Sequence, residues 1–239
     1  MKKYLLVAVL AIFGYSAQAQ LVQSTMLNIQ KEKRTTWYLR VGASFNNPAG
    51  PATGDDGVFY NMSDEEKDDY SIGNKLGYDL AIGFQRSIGG SGLYWGQEYG
   101  FGSRGAQVSF KGEYDEYKSS LMAHNVKIAP FILGYRIGLT DMISIDPHVG
   151  CFLSYDYFGK GKMEEDGEED DNMDLSEIND EYGYQSFDGG LQVGVGVWYG
   201  RLNLDLTYQR GFVSVCDCDD LNNKAVYSSN FMVRLGVSF

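Results

Sequence analysis

The segment from Phe231 to Phe239 alternates along its whole length between two kinds of position. One set is apolar and consists of Phe231, Val233, Leu235, Val237 and Phe239. The other set consists of Met232, Arg234, Gly236 and Ser238. Successive side chains of a β-strand point to opposite sides, so the pattern predicts a strand with one apolar and one polar face.

The same alternation recurs along the chain and predicts eight strands. They cover residues 36–45, 76–85, 93–101, 129–137, 143–155, 187–199, 202–208 and 231–239. Long connections alternate with short turns, and aromatic residues fall near both ends of the strands, as they do at membrane interfaces. The pattern predicts an all-β fold, an eight-stranded antiparallel up-and-down transmembrane β-barrel with its short turns in the periplasm. The alternative is a soluble barrel such as a lipocalin, whose apolar face would line a ligand cavity.

The N-terminus has the features of an export signal. Lys2 and Lys3 precede an apolar run, which is followed by small residues up to Ala19. This arrangement predicts a signal peptide over 1–19, cleaved near Ala19. A short periplasmic extension over 20–35 and a barrel domain over 36–239 are expected to follow, with the mature chain in the outer membrane.

Composition excludes two other classes of protein. Beyond the signal peptide the chain has no apolar stretch of about 18 residues, so a helical membrane protein is excluded. The formal net charge of −12 disfavours nucleic acid as a partner, because such binding depends on cationic contacts to phosphate.

Over about 36–239 the chain resembles the small eight-stranded outer-membrane barrels typified by outer membrane protein A and outer membrane protein X, in their barrel-only form. The segment from Phe231 to Phe239 is the most specific part, since it resembles the C-terminal signal read by the barrel-assembly machinery. The resemblance therefore implies that machinery as a partner during insertion. Nothing follows Phe239, so the peptidoglycan-binding domain of some relatives, and anchoring to the cell wall, are not expected.

Charged residues are predicted on the inward face. They are Arg40, Asp79, Glu98, Arg104, Arg136, Asp146, Asp188, Asp205 and Arg234. An eight-stranded barrel is only about wide enough for side chains to fill it, and buried charges must be paired. The expected arrangement is a packed network of ion pairs that fixes the strand register; the alternative is a narrow gated ion path.

The long loops carry most of the acidic residues. The first holds Asp55, Asp56 and a run from Asp64 to Asp69, and eleven carboxylates lie between Glu164 and Glu181. Such runs are usually solvated. Weak binding of calcium or magnesium, bridging to lipopolysaccharide, is a generic further expectation, but no dedicated metal site or cofactor is predicted. Cys216 and Cys218, one residue apart, are interpreted as a loop pair, with a metal or redox site as the alternative.

No catalytic residue is predicted. His124 is close in sequence to Ser119 and Ser120, and a Ser/His pair at the bilayer rim could perform acyl chemistry. However, no nucleophile motif surrounds either serine, and His148 is expected to face the interior. We expect a structural or surface-interaction role through acidic extracellular loops. A small pore or passive diffusion channel is the second candidate, and a lipid hydrolase or acyltransferase is the third.

Overall fold

A computed structural model describes residues 35–49, 70–89, 92–111, 116–165, 168–214 and 226–239. The expected signal peptide and nearly all of the N-terminal extension lie outside these residues. The elements are β1 (Thr35–Ala49), β2 (Tyr70–Gly73), β3 (Lys75–Ser87), β4 (Leu93–Lys111), β5 (Glu116–Tyr135), β6 (Ile137–Gly138), β7 (Ile143–Glu165), β8 (Glu168–Asp174), α1 (Leu175–Tyr182), β9 (Phe187–Tyr199), β10 (Leu202–Ser214) and β11 (Tyr227–Ser238). In the described part of the chain, no helix has the length and apolar character needed to cross a membrane.

Eight of the described strands form a closed antiparallel ring. The order around it is β1, β3, β4, β5, β7, β9, β10 and β11. The last strand pairs back onto the first, from Tyr38 opposite Ser238 to Ala49 opposite Tyr227. Closure gives every barrel strand two neighbours, so no backbone edge faces lipid. The predicted eight-stranded antiparallel barrel is confirmed.

The faces of the strands show which environment each side meets. On β11, Phe231 and Leu235 are 42% and 56% exposed, whereas Met232 and Arg234 are buried in the barrel. The same contrast holds around the ring. Exposed apolar side chains include Leu39, Val41, Leu80, Ile82, Phe131, Val149, Leu153, Val193, Val197 and Leu204. An apolar exterior around a polar interior is the arrangement of a barrel in lipid, and the lipocalin-like alternative with an apolar interior is wrong.

The strands on one side of the barrel are longer than a membrane requires. A transmembrane strand needs about 9–11 residues, but β7 has 23 residues and β5 has 20. Beyond the ring, β2 pairs with β4 and β8 pairs with β7. We call this projecting part the outer sheet: residues 103–111 of β4, 116–124 of β5 and 158–165 of β7, with β2 and β8.

The strands predicted over 143–155 and 187–199 leave a long loop between them, from about 159 to 183, and the structure shows that this predicted loop is wrong. This segment contains the end of β7, then β8 and then α1. The helix begins after Asp174, whose backbone N–H donates to the Glu177 carboxylate at 2.9 Å, and this contact satisfies an end group. It ends at Gly183, whose φ of 61° suits glycine. The predicted third strand ends near 101, whereas β4 continues to Lys111. The predicted fourth strand begins near 129, whereas β5 begins at Glu116.

A bulge corrects one predicted side-chain orientation. The alternation placed Ala129 on the lipid face with Phe131, but Ala129 is buried inside against Tyr94 and Ile132. The register of β5 shifts between Ile128 and Phe131. Pro130 lies in that gap, where its missing N–H is tolerated. The extra residue changes the phase of the strand. The inward positions are odd-numbered from Asn125 to Ala129 and even-numbered from Ile132 to Gly134.

Candidate functional site: the polar interior of the barrel

Two arginines and two carboxylates form the centre of the interior. Nη1 of Arg234 donates to Glu98 Oε1 at 2.5 Å, and its Nη2 donates to Asp205 Oδ1 at 2.6 Å. Nη1 of Arg40 lies 3.0 Å from Glu98 Oε2, and its Nη2 lies 3.2 Å from Asp205 Oδ2. Each guanidinium thus contacts both acids, which joins β1, β4, β10 and β11 across the barrel.

Polar neighbours complete this central network. The Tyr38 hydroxyl donates to Glu98 at 3.1 Å, and the Thr207 hydroxyl donates to Asp205 at 2.7 Å. Arg40 Nε donates to Asn203 Oδ1 at 3.0 Å. Such contacts offset the loss of hydration that makes buried charges expensive.

Lys127 and Asp79 extend the network toward the outer end. The Lys127 ammonium is in direct contact with the Asp79 carboxylate, and Arg234 Nη1 lies 3.3 Å from the same carboxylate. The formal charges of this layer balance. Its cations are Arg40, Lys127 and Arg234, and its anions are Asp79, Glu98 and Asp205.

A second cluster lies around Asp146, at the end with the short turns. We call it the periplasmic cluster, because that end is predicted to face the periplasm. Its carboxylate accepts hydrogen bonds from Tyr94 Oη at 2.5 Å, Trp198 Nε1 at 3.0 Å and Gln85 Nε2 at 3.1 Å. Arg136 Nη2 lies 3.4 Å from it, and the guanidinium lies over the Trp198 ring at 4.4 Å. The Tyr94 ring also lies where a Cβ on Gly134 would be, so only glycine allows this packing.

A third cluster lies at the outer end around Arg104. Its Nε is 2.5 Å from Asp156 Oδ2, and its Nη1 is 3.0 Å from Asp188 Oδ2. Nη2 donates to the backbone carbonyl of Gln185 at 2.9 Å. The Tyr184 hydroxyl donates to Asp156 at 2.5 Å. Burial raises the pKa of Tyr184, which keeps this donor protonated. The cluster ties the segment between α1 and β9 to the barrel mouth.

The structure places the nine predicted interior charges as follows. Arg40, Glu98, Asp205, Arg234 and Asp79 lie in the central network, Asp146 and Arg136 lie in the periplasmic cluster, and Arg104 and Asp188 lie in the outer cluster. Arg136 differs from the others, because its side chain is 32% exposed. It follows β5 in the short segment before β6, and therefore reaches the cluster from the barrel rim.

Sequence reasoning missed Lys127 and Asp156. The predicted fourth strand begins after Lys127 and the predicted fifth strand ends before Asp156, so both residues lie outside the predicted strands. Continuing the fifth-strand pattern by one residue places Asp156 on the inward face. Continuing the fourth-strand pattern places Lys127 on the lipid face instead, because the bulge at Pro130 shifts the phase. Alternation also places the aromatic donors Tyr94 and Trp198 on the inward face, but it does not predict which residue across the barrel each one contacts.

The residues of the enzyme hypothesis are not brought together. His124 lies on the outside of β5, where Tyr78 Oη is 3.0 Å from its Nδ1 and its ring stacks on Phe158 at 5.7 Å. Strands rise about 3.4 Å per residue, which puts Ser119 and Ser120 about 13 Å or more along β5 from this ring. His148 is buried in the interior, 3.3 Å from Thr207 Oγ1.

Most residues of the metal and redox hypotheses lie outside the described part of the chain. Within the ranges that the structure describes, no group of three His, Cys, Asp or Glu residues is arranged to hold a metal ion. Cys216 and Cys218 lie outside those ranges, as does the acidic run of the first loop. Cys151 is a free thiol on the lipid-facing side of β7.

Comparison with known proteins agrees with the barrel. The family model described as "Outer membrane protein beta-barrel domain" matches residues 18–217. No curated protein sequence matches the chain. Among solved structures, the attachment invasion locus protein Ail of Yersinia pestis, in complex with the heparin analogue sucrose octasulfate, is 11% identical with a TM-score of 0.36, covering 86% of this chain and 99% of its own.

Two further solved structures are similar to the chain. Neisserial surface protein A is 14% identical, with a TM-score of 0.32, and the match covers 85% of this chain and 97% of that protein. The outer membrane enzyme PagL is 10% identical, with a TM-score of 0.35, and the match covers 83% of this chain and 98% of that protein.

Proposed function

Because the chain belongs to the outer membrane protein beta-barrel domain family, we propose that it is a sealed barrel with a structural and surface-interaction role. One observation carries the proposal. Arg40 and Arg234 are both bonded to Glu98 and Asp205 across the centre of the barrel. Opening a path there would separate buried ion pairs without replacing them, which is energetically expensive. A barrel of eight strands has little other interior space.

In a sealed barrel, contacts with other molecules are made by the parts of the protein beyond the membrane. These parts are the outer sheet, α1 and the acidic loops, including the run from Asp64 to Asp69. Their charge favours basic partners, or divalent cations that bridge to lipopolysaccharide. Insertion by the barrel-assembly machinery through the apolar face of β11 belongs to the same proposal.

Conductance tests the sealed barrel against the pore alternative. We expect the folded protein in planar bilayers to give no steady channel. The Arg234→Ala variant should lose stability with little gain in conductance, because the remaining side chains still fill the interior. Large stable channels in the parent protein or in this variant would refute the proposal.

Surface proteolysis of whole cells tests the interaction surface. Cleavage between Glu164 and Glu181 in intact cells, with the turn at Gly200 protected until the outer membrane is permeabilised, is the expected pattern. The reverse pattern would invert the proposed orientation. Whole cells that display the protein should also retain calcium or basic peptides better than cells whose acidic run 164–171 has been neutralised.

We propose that the barrel is not a lipid hydrolase, and this part of the proposal has its own assay. Refolded protein incubated with lipopolysaccharide or phospholipid should release no acyl chain. Acyl release that is lost in the His124→Ala variant would establish the enzyme alternative instead, because His124 is the histidine on the outside of the barrel.

A further inference from the structure

A cavity of about 230 Å³ lies at the outer end of the barrel. Lys127 of the central network and Arg104 of the outer cluster both line it, and Tyr184 borders it between α1 and β9. The central network lies between the cavity and the short turns at the other end of the barrel. The cavity is therefore a cup at the outer mouth, and it ends where the central ion pairs begin.

The surface that the cavity exposes is almost entirely apolar. Leu121 of β5 and Phe152 of β7 line one side, and Pro48 of β1 and Val226 line the opposite side. Ala106 of β4 lies opposite Leu121 in the strand register, and it also lines the cavity. Asparagine and serine residues border the cavity too, but their polar atoms contribute little of the exposed surface. The walls therefore favour an apolar occupant, which gains from leaving water and from dispersion contacts.

Each charged side chain that the structure describes in the lining has a counter-ion within the barrel. Arg104 Nη1 lies 3.0 Å from Asp188 Oδ2, and the Lys127 ammonium is in direct contact with the Asp79 carboxylate. An ionic ligand would lose its hydration in apolar surroundings without gaining an unpaired charge to contact, which is costly. The lining thus selects an occupant that carries no charge.

The volume of the cavity sets the size of this occupant. A cavity of about 150 Å³ lined by Leu, Ile and Phe side chains stays dry and binds benzene. The cavity in this barrel, at about 230 Å³, has room for one such ring with short alkyl substituents. A pocket with mostly apolar walls at the mouth of a β-barrel is also a common place for a small-molecule site.

We propose that the cavity is a binding site for a small uncharged apolar molecule, of the class of the alkyl-substituted benzenes, taken up from the outer side of the membrane. The ring packs against Leu121 and Phe152 on one side and against Val226 on the other. This site adds a ligand to the proposed surface role of the barrel. It lies outside the sealing network, so its failure would leave the proposed sealed barrel intact.

NMR of the folded protein in lipid nanodiscs, with isotope-labelled methyl groups and para-xylene as the probe, tests the proposal. The methyl resonances of Leu121 and Val226 should shift to saturation and show Overhauser contacts to the probe. The methyl groups of Leu153, on the lipid face of β7, report the probe dissolved in lipid and should shift without saturation. Parallel unsaturated shifts at Leu121 and Leu153 would show partition into lipid only and overturn the proposal.

Two charged analogues of the probe test the selection against ions. Para-toluate carries a negative charge on the same ring, and para-methylbenzylammonium carries a positive one. Both should bind at least about tenfold more weakly than para-xylene, because neither finds an unpaired counter-charge in the lining. Equal binding of either ion would contradict the apolar character assigned to the site.

Matched variants locate the binding and guard against misfolding. Leu121→Trp fills the cavity and should abolish the saturable shift at Val226, whereas Leu153→Trp on the lipid face should leave it unchanged. Ala106→Leu reduces the same space by a smaller change and should weaken binding about tenfold. Each variant is first checked for heat-modifiable gel mobility. Unchanged saturable binding in folded Leu121→Trp or folded Ala106→Leu would place the probe elsewhere and overturn the proposal.

Discussion

At the scale of single residues, Arg234 shows how a full charge is retained inside the barrel. Its guanidinium is 1% exposed and contacts Glu98, Asp205 and Asp79. The favourable contacts compensate for lost hydration only while all partners are present. Removing one member therefore leaves other charges buried and unpaired, which is a larger penalty than losing a single surface ion pair.

Replacing Arg234 with methionine tests this dependence. The Arg234→Met variant keeps an unbranched side chain but removes the charge, and we expect it to lower the free energy of unfolding by about 3–5 kcal/mol. Urea unfolding in lipid vesicles measures the change. The matched control is Arg86→Met, at the exposed end of β3, which should change stability by less than about 0.5 kcal/mol. Equal effects of the two variants would contradict the account.

Tyr94 supplies a single hydrogen bond whose contribution can be isolated. Tyr94→Phe removes the donor that lies 2.5 Å from Asp146, and it changes the ring volume little. We expect a loss of about 1.5–3 kcal/mol, the range for hydrogen bonds to charged groups. Tyr155→Phe, on the exposed face of β7, is the control and should lie near zero. The same urea titration measures both, and an unchanged unfolding midpoint for Tyr94→Phe would refute the role assigned to it.

At the scale of elements, β5 shows what sequence alternation can and cannot predict. The period of two predicts the strand and the outward direction of Phe131. It fails at Ala129, because the bulge at Pro130 shifts the phase by one residue. It also fails to find the strand start at Glu116, because alternation weakens where the outer sheet no longer has lipid on one side. Hydrogen-bonded pairing with β4 and β7 extends the strand there instead.

The two parts of β5 should respond differently to a charge. Phe131 is 50% exposed on the apolar exterior, so Phe131→Arg should destabilise the protein in bilayers by about 2–4 kcal/mol. Ser119 is exposed on the outer sheet, and Ser119→Arg should have an effect within about 0.5 kcal/mol. Unfolding in vesicles measures the pair. A comparable penalty at Ser119 would place that part of β5 in the membrane.

The final residue of the β11 pattern is expected to matter for assembly more than for stability. Phe239→Ala should lower the amount of folded protein in the outer membrane of cells, because the assembly machinery is expected to recognise this end. Refolding into detergent should be nearly unchanged. Phe187→Ala, which removes a lipid-facing aromatic from β9, is the control. Equal losses for both variants in cells would argue against a special role for Phe239.

At the scale of the whole molecule, ring closure explains why the fold was predictable and the network was not. Alternation assigns each residue to one face, and this is sufficient to predict eight strands and a polar interior. The pairing of Arg40 with both Glu98 and Asp205 depends on three strands far apart in sequence. Their relative stagger is set by the closed register of the barrel, which no local pattern contains. The alternation also did not predict the outer sheet.

The most direct test of the sealed barrel is the accessibility of nitroxide labels along β10, in a background without cysteine. Labels at 204, 206 and 208 should collide freely with oxygen dissolved in lipid. Labels at 203, 207 and 209 should be shielded both from oxygen and from a water-soluble nickel chelate, because side chains fill the interior. A chelate that reaches 203 and 207 freely would show an open aqueous path and contradict the account.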